Sequence, residues 1–476
     1  MNNQAETIRT WAEDNFAAAH LSDERRIRRV VTIGEAMAAN AGKTIPQMFA
    51  STYDVKAAYN LFKHEQATPE NLQAGHREKV LSAMSERGVY LLVEDTATMS
   101  RSGKEPIEGL GPIGGGKAGL QGFLLHSVMV LGWKPEAFNQ SDLQRPPVEI
   151  VGIAHQKFFV RQEKAEPVAR KQTNSAHPQT ERESERWKEA VNELGESEPA
   201  VRYVHIADRE ADIYDYLFAC QKQGHGFVAR AAQNRALHNV QTRLRKGRLF
   251  ETAGAAKAMG SFQLRLRSGD GKEARQASLK LSRSRVLLSP PKSSHESEPL
   301  ECSVIRVWEE NPPEGIQALE WILLTDCQVE IFDRAVECAL QYVTRWVIEE
   351  YDKALKRGLK AESLQLEHAD RRLAAIAIKS IVALRLIDLK ERVRISEASP
   401  AEKSGLTELE LKVLRTTTEK PLKTVKDVAL QIGRLGGHMN RKADGMPGWI
   451  TLWRGMEKLR LLVQGVGIAR KMQKFG

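Results

Sequence analysis

The sequence predicts an α/β chain, a sheet flanked by helices with helical segments at both ends, and three observations carry that reading. Two apolar runs of strand length, 88–94 and 200–207, each finish on an acid, Asp95 and Asp208. A segment from about 247 to 324 alternates apolar and polar residues between turns at Gly269-Asp270-Gly271 and Pro290-Pro291. The stretch from Leu340 to Lys360 has no proline, is rich in helix formers and meets Gly358 where a helix would stop.

The chain has 476 residues, enough for two to four domains with real cores. Its 71 Lys and Arg against 61 Asp and Glu give a net charge of +10, which suits a polyanionic partner. Four cysteines, Cys220, Cys302, Cys327 and Cys338, form no Cys-x-x-Cys pair, which argues against a zinc site and a disulfide framework. The first residues lack the basic start and apolar run of a signal peptide, and no segment is apolar for membrane-spanning length, so a cytoplasmic protein with no membrane partner is expected.

Taken in order, residues 1–68 read as a helical domain. Ser22 or Asp23 caps a helix carrying Arg25, Arg26, Arg28 and Arg29, a basic patch that serves either as a phosphate-binding surface or as a solvated face. Residues 69–370 form the expected central domain, starting with a helix over 70–87. The run ending at Asp95, the run 123–131 and the run 148–159 predict an antiparallel meander. Gly114-Gly115-Gly116 lies in a glycine loop without the Gly-Lys-Ser/Thr ending of a phosphate cradle, so no nucleotide cofactor is expected. His126 and Ser127 point to opposite faces of their strand and cannot pair as base and nucleophile. A helical pattern spans 179–194 around Trp187. After the strand ending at Asp208 come Glu210 and Asp212, read as acids favoured by a helix N-terminus. Residues of about 240–330 are expected as a mostly β insertion with one basic face. Residues 371–476 read as a helical C-terminal domain, with Trp449, Trp453, Met456, Leu459 and Val463 along one stripe, either core or docking surface.

On the expected helix over 340–360, Tyr342, Arg345, Glu349, Lys353 and Lys356 fall three, four, four and three apart and share a face. Ion pairing of Glu349 with Lys353 is the commoner origin of such a row. The other origin is a chelating carboxylate set among groups that hold a nucleic-acid backbone.

The pattern Tyr342-x2-Arg345-x3-Glu349-x6-Lys356 resembles the Tyr-Arg-Glu-Lys signature of bacterial cut-and-paste transposases of the insertion-sequence-four family. Asp208-Arg209-Glu210-Ala211-Asp212 resembles that family's second catalytic block, and the segment 319–326 one whose tryptophan, here Trp321, stacks on a flipped base. Phe123-Leu124 departs from it, where a relative carries bulky tryptophans.

The resemblance implies a ribonuclease-H-like core in which Asp95, Asp208 and Glu349 converge as catalytic and metal-binding carboxylates. Such carboxylates repel one another until divalent cations neutralise them, two Mg²⁺ ions per site, with Mn²⁺ able to substitute. It also implies DNA contacts by Tyr342, Arg345, Lys353, Lys356, Arg230 and Trp321, and by Arg25, Arg26 and Arg29 at the transposon end. The partners implied are double-stranded transposon ends and target DNA, bound by a homodimer formed through the C-terminal helices in a bacterial, nucleoid-associated setting. The expected reaction is nicking, hairpin formation, hairpin hydrolysis and joining of 3′ ends to target DNA. Two other readings remain open at this point: a metal nuclease that cuts without joining, and an end-binding regulator without chemistry.

Overall fold

A computed structural model describes residues 8–101, 106–113, 120–134, 148–161, 184–266, 275–441 and 444–472. The expected glycine triplet 114–116 and the first part of the 179–194 helix lie outside them.

The chain opens with α1 (Ile8–Phe16), α2 (Glu24–Ala39), α3 (Ile45–Met48) and α4 (Thr52–Phe62). Asp23 caps α2, its carboxylate accepting from the Arg25 backbone N–H. Phe16, Val30, Ile33, Met37 and Phe62 bury one side of this group. Then α5 (Pro69–Met84), with proline at its first turn and Thr68 as cap, leads into the sheet.

The sheet is built from β1 (Gly88–Ser100), β2 (Gly111–Pro112), β3 (Gln121–Trp133) and β4 (Glu149–Phe159), followed by α6 (Glu185–Leu194) and β5 (Val201–Ala207). Next come α7 (Tyr214–Lys222), β6 (Gly226–Arg230), β7 (Ala236–His238), β8 (Arg245–Arg248), α8 (Leu249–Ala255) and β9 (Ala258–Leu266). The last strands are β10 (Arg275–Leu288), β11 (Leu300–Glu309) and β12 (Glu320–Thr325). Among the described residues the order is β2-β3-β1-β5-β6-β12-β11-β10-β7-β8, with β4 beside β3 and β9 beside β10. β1, β3 and β4 form the antiparallel meander expected, whereas β5 runs parallel to β1 and β6 parallel to β5. The mostly β segment over about 240–330 is hydrogen-bonded into this same sheet, because β12 pairs with β6. Local alternation in sequence marks strands but carries no information about which long-range partner completes their ladder.

Helical cover follows: α9 (Phe332–Val343), α10 (Trp346–Lys353), α11 (Ala369–Ile395), α12 (Glu408–Thr416), α13 (Val425–Leu435) and α14 (Trp449–Met472). α11 runs through the main core, with Ala375, Ile378, Ile381 and Val382 fully enclosed. The single helix expected over 340–360 is interrupted. Thr344 turns its hydroxyl back to the Gln341 carbonyl (2.6 Å), and the Thr344 and Arg345 N–H groups bond three residues back rather than four. Beyond α10 the chain widens over Ala354–Gly358 into a π turn, the Leu359 N–H reaching the Ala354 carbonyl five residues back. The buried Lys379 ammonium donates to the Leu359 carbonyl at 2.6 Å and anchors the end of that turn.

At the C-terminus Trp449, Trp453 and Leu459 are buried, while Met456 and Val463 are only partly covered. The stripe is therefore largely core, and Leu461, Leu462 and Ile468 form a different, exposed set. Cys220, Cys302 and Cys338 are buried free thiols and Cys327 is half-buried. Among the described residues no helix is long and apolar enough to cross a membrane.

Candidate nucleic-acid and metal site

The two faces of β1 are chemically different. Leu91, Val93, Ala97 and Met99 belong to the core shared with α9, α10 and α11, and Asp95 has the same parity. On β5, Val204 and Ile206 face that core, and Asp208 continues their parity. Val93 is level with Ile206 in the parallel β1–β5 pair, so Asp95 and Asp208, each two residues further on, leave neighbouring strands at the same height. Neighbouring strands lie about 4.8 Å apart. Asp208 then caps the short 3-10 turn Arg209–Ala211, accepting from the Glu210 N–H at 2.8 Å.

Glu349 comes to this side on α10, which packs on β1. Its carboxylate is held by Arg345 at 2.5 Å, not by Lys353. The latter ammonium instead stands 5.8 Å above the ring of Trp346, which is 48% exposed. Arg345 is the electrostatic centre: burial works against its charge, while Tyr342, Glu349, Asp95 and Asp208 all favour it and carry its pKa above the ordinary value. Burial raises the pKa of Asp95. The negative charges of Asp208 and Glu349 raise it further, and the Thr96 N–H at 2.8 Å and Arg345 pull the other way.

Of the other expected contact residues, Tyr342 is buried on α9, with Trp321 edge-on to its ring at 5.4 Å between centroids. Arg230 donates to the Glu320 carbonyl at 3.0 Å, beside Trp321. Lys356 sits in the π turn and lowers the pKa of a nearby acid, Asp352. Arg25, Arg26 and Arg29 lie apart from these residues on α2. Arg25 is exposed beside Asp23, Arg26 donates to Ser22, and Arg29 is tied to Asp54 at 2.6 Å and lies over Tyr53.

Three features escape the sequence reading. Asp352, one turn beyond Glu349, is recessed. Burial and then the charges of Asp95 and Glu349 push its pKa up to about 8. Its spacing of three from Glu349 was the available signal. Asp212, read as a helix-dipole acid, is in fact buried against Arg235 at 2.6 Å, and its other oxygen accepts from the Ala232 and Gln233 N–H groups, both at 2.7 Å. On the far face of β1, Glu94 is buried with His205, His126 and Tyr216. The Tyr216 hydroxyl donates to Glu94 at 2.8 Å, His205 meets both Glu94 and His225, and His225 donates to the Gly195 carbonyl at 2.8 Å. Ser127 points the other way, accepting from Gln156 at 2.8 Å, as the alternation required.

A raised carboxyl pKa favours the folded chain at low pH. Stability linked to Asp352 is therefore lost as pH rises from about 4, where the unfolded carboxyl ionises, to about 8. Asp352→Asn is expected to stabilise the metal-free protein, with a gain that grows across that window at up to ~1.4 kcal/mol per pH unit. Urea midpoints at three pH values measure this, and a gain independent of pH would contradict it.

Hard carboxylate oxygens suit Mg²⁺ or Mn²⁺. The mutual elevation felt by Asp95 is the repulsion that a divalent cation relieves. Among the described residues no three His, Cys, Asp or Glu side chains already close around a common ion position. Side-chain rotation would have to gather the three acids, with Glu349 released from Arg345.

Residues 8–67, which include α1 to α4, match the family model of transposase DNA-binding domains. The match supports a transposase and DNA as its partner.

Proposed function

We propose that this chain is a metal-dependent transposase of the insertion-sequence-four type, acting on transposon-end duplexes. The observation that supports it most is the position of Arg345, whose guanidinium feels Tyr342, Glu349, Asp95 and Asp208 together. A cation among three acids and a phenol, on a basic chain with an N-terminal match to transposase DNA-binding domains, fits a site for phosphodiester exchange.

In this reading Asp95, Asp208 and Glu349, on a ribonuclease-H-like core, hold divalent cations. Mg²⁺, when bound, supplies charge neutralisation and lowers the pKa of an attacking water or 3′ hydroxyl. Arg345 and Lys356 hold the phosphates flanking the scissile bond, Arg345 as a planar fork and Lys356 as a point charge. Tyr342 donates its hydroxyl to the same backbone, and Lys353 with Trp346 forms the outer rim. Trp321 offers its face to an unstacked base, with Arg230 on the adjoining strand. Arg25, Arg26 and Arg29 read the end on the N-terminal domain. Residues 69–370 carry the chemistry, and residues 371–476 pair two copies across the bound ends. One site serves nicking, hairpin formation, hairpin opening and joining, because each step exchanges one phosphodiester oxygen for another.

The test is a strand-transfer assay with pre-cut ends carrying a free 3′ hydroxyl, with Mg²⁺ and a supercoiled target. Joined products that depend on Glu349 are expected. Cleavage without joining would replace the transposase reading by a nuclease. Binding with neither would leave an end-binding regulator.

A further inference from the structure

β7 and β8 form a hairpin at one extreme of the sheet, and its tip is the most continuously exposed basic stretch of the described chain. Every residue from 241 to 248 is exposed, and they read Gln-Thr-Arg-Leu-Arg-Lys-Gly-Arg. The turn is built, not loose. The Asn239 side chain accepts from the Gln241 and Thr242 N–H groups, both at 2.9 Å, and the Asn239 N–H reaches the Leu244 carbonyl at 2.7 Å. Arg243 is held in the left-handed region at φ 58°, a conformation that costs about 1 kcal/mol for a residue with a Cβ. Leu244, between Arg243 and Arg245, is 71% exposed.

Among the described residues Arg243, Arg245 and Lys246 make no ion pair, so their charges face solvent. The root of the hairpin is rigid for the opposite reason. The buried Arg235–Asp212 pair and the two N–H bonds to Asp212 fasten residues 232–235 to the turn that begins at Asp208. Arg230, the end of β6, is five residues before Arg235. The root of the hairpin is therefore fastened to the turn that follows Asp208, and its strands of three and four residues carry the tip about 10 Å beyond that root, at the edge of the sheet.

We infer that the β7–β8 hairpin is a sequence-independent clamp on duplex DNA, with Arg243, Arg245 and Lys246 on backbone phosphates and Leu244 covered in the groove between them. It rests on the DNA-exchange reading above. Three exposed cations without an ion pair, on a short, prestructured turn, suit backbone phosphates, and none of the three carries a fixed partner that would specify a base. An acidic protein surface would satisfy the charge as well, but the match of residues 8–67 to transposase DNA-binding domains favours DNA, and a protein partner predicts an unchanged slope in the test below.

The full-length triple variant Arg243→Gln/Arg245→Gln/Lys246→Gln is compared with wild type by fluorescence anisotropy on a duplex of arbitrary sequence across a salt series. The slope of log binding constant against log salt is expected to fall in magnitude by about 2 to 3, roughly 0.9 for each phosphate no longer neutralised. The affinity loss should be the same on an end sequence as on an arbitrary one. A second triple variant, Lys403→Gln/Lys420→Gln/Lys423→Gln, removes the same charge from other exposed positions and should leave the slope near wild type. An unchanged slope in the hairpin variant, or an equal fall in the control, overturns the clamp. Wild-type protein that binds no duplex at all overturns the DNA-exchange reading itself.

Discussion

Glu349→Gln is expected to lower Mg²⁺-dependent cleavage of end DNA by about 10³-fold or more, while duplex affinity stays within about twofold. The substitution preserves shape and an oxygen that Arg345 can still bond, so a hydrogen bond from the charged guanidinium to an uncharged amide oxygen replaces the ion pair. What disappears is one negative charge. The carboxylate set becomes a poorer cage for a divalent ion, and the attacking oxygen is deprived of the cation that would lower its pKa. The same charge raises the Asp95 carboxyl, so the variant should also show Asp95 titrating at lower pH than in wild type. That shift is read by carboxyl NMR without metal or DNA, so it separates a missing charge from a collapsed fold. Undiminished cleavage in the variant would remove Glu349 from the chemistry.

The second large effect concerns stability. Glu94→Ala is expected to destabilise the fold by about 3–5 kcal/mol, the cost of removing a buried carboxylate and leaving the groups that bond it unsatisfied. Glu94 and His205 are fully enclosed, and Tyr216, whose pKa burial lifts well above the ordinary phenol value, donates to the same carboxylate. Burial alone would raise the pKa of Glu94. The charge and hydrogen bond of His205, with His126 close by at 3.4 Å, outweigh it and bring the carboxyl down to about 2. A depressed carboxyl pKa contributes stability that is present above the ordinary value of about 4.5 and disappears as pH falls towards 2. Wild type should therefore lose stability across that interval faster than Glu94→Ala does, and the two denaturation curves should converge in acid. A parallel pH response would refute the assignment.

How much of this could be read from the sequence depended on whether the signal was local. Apolar runs tipped by Asp95 and Asp208 announce strands and place both acids at the ends of their buried stretches. The capping of α2 by Asp23 was likewise written in adjacent residues. The break at Thr344 was not, because neither proline nor glycine marks it and the decision is made by one hydroxyl turning back on Gln341. Nor was the pairing of Asp212 with Arg235, 23 positions away, or the joining of β12 to β6. These are choices among many possible long-range partners, settled only when the whole sheet assembles. Asp352 was passed over because a recessed acid and a solvated one look alike on a charged helix.

Asp95 and Glu94 stand back to back on one strand, each facing a different environment. One extra residue inserted between Leu91 and Val93 would turn the later part of the strand over. Glu94 would then face α10 with a side chain one methylene longer, and Asp95, too short, would be offered to His205. A scan of single-residue insertions should consequently find this stretch intolerant even to alanine. The exposed end of the β7–β8 hairpin, with no opposite face to confuse, should accept the same lesion with its fold intact.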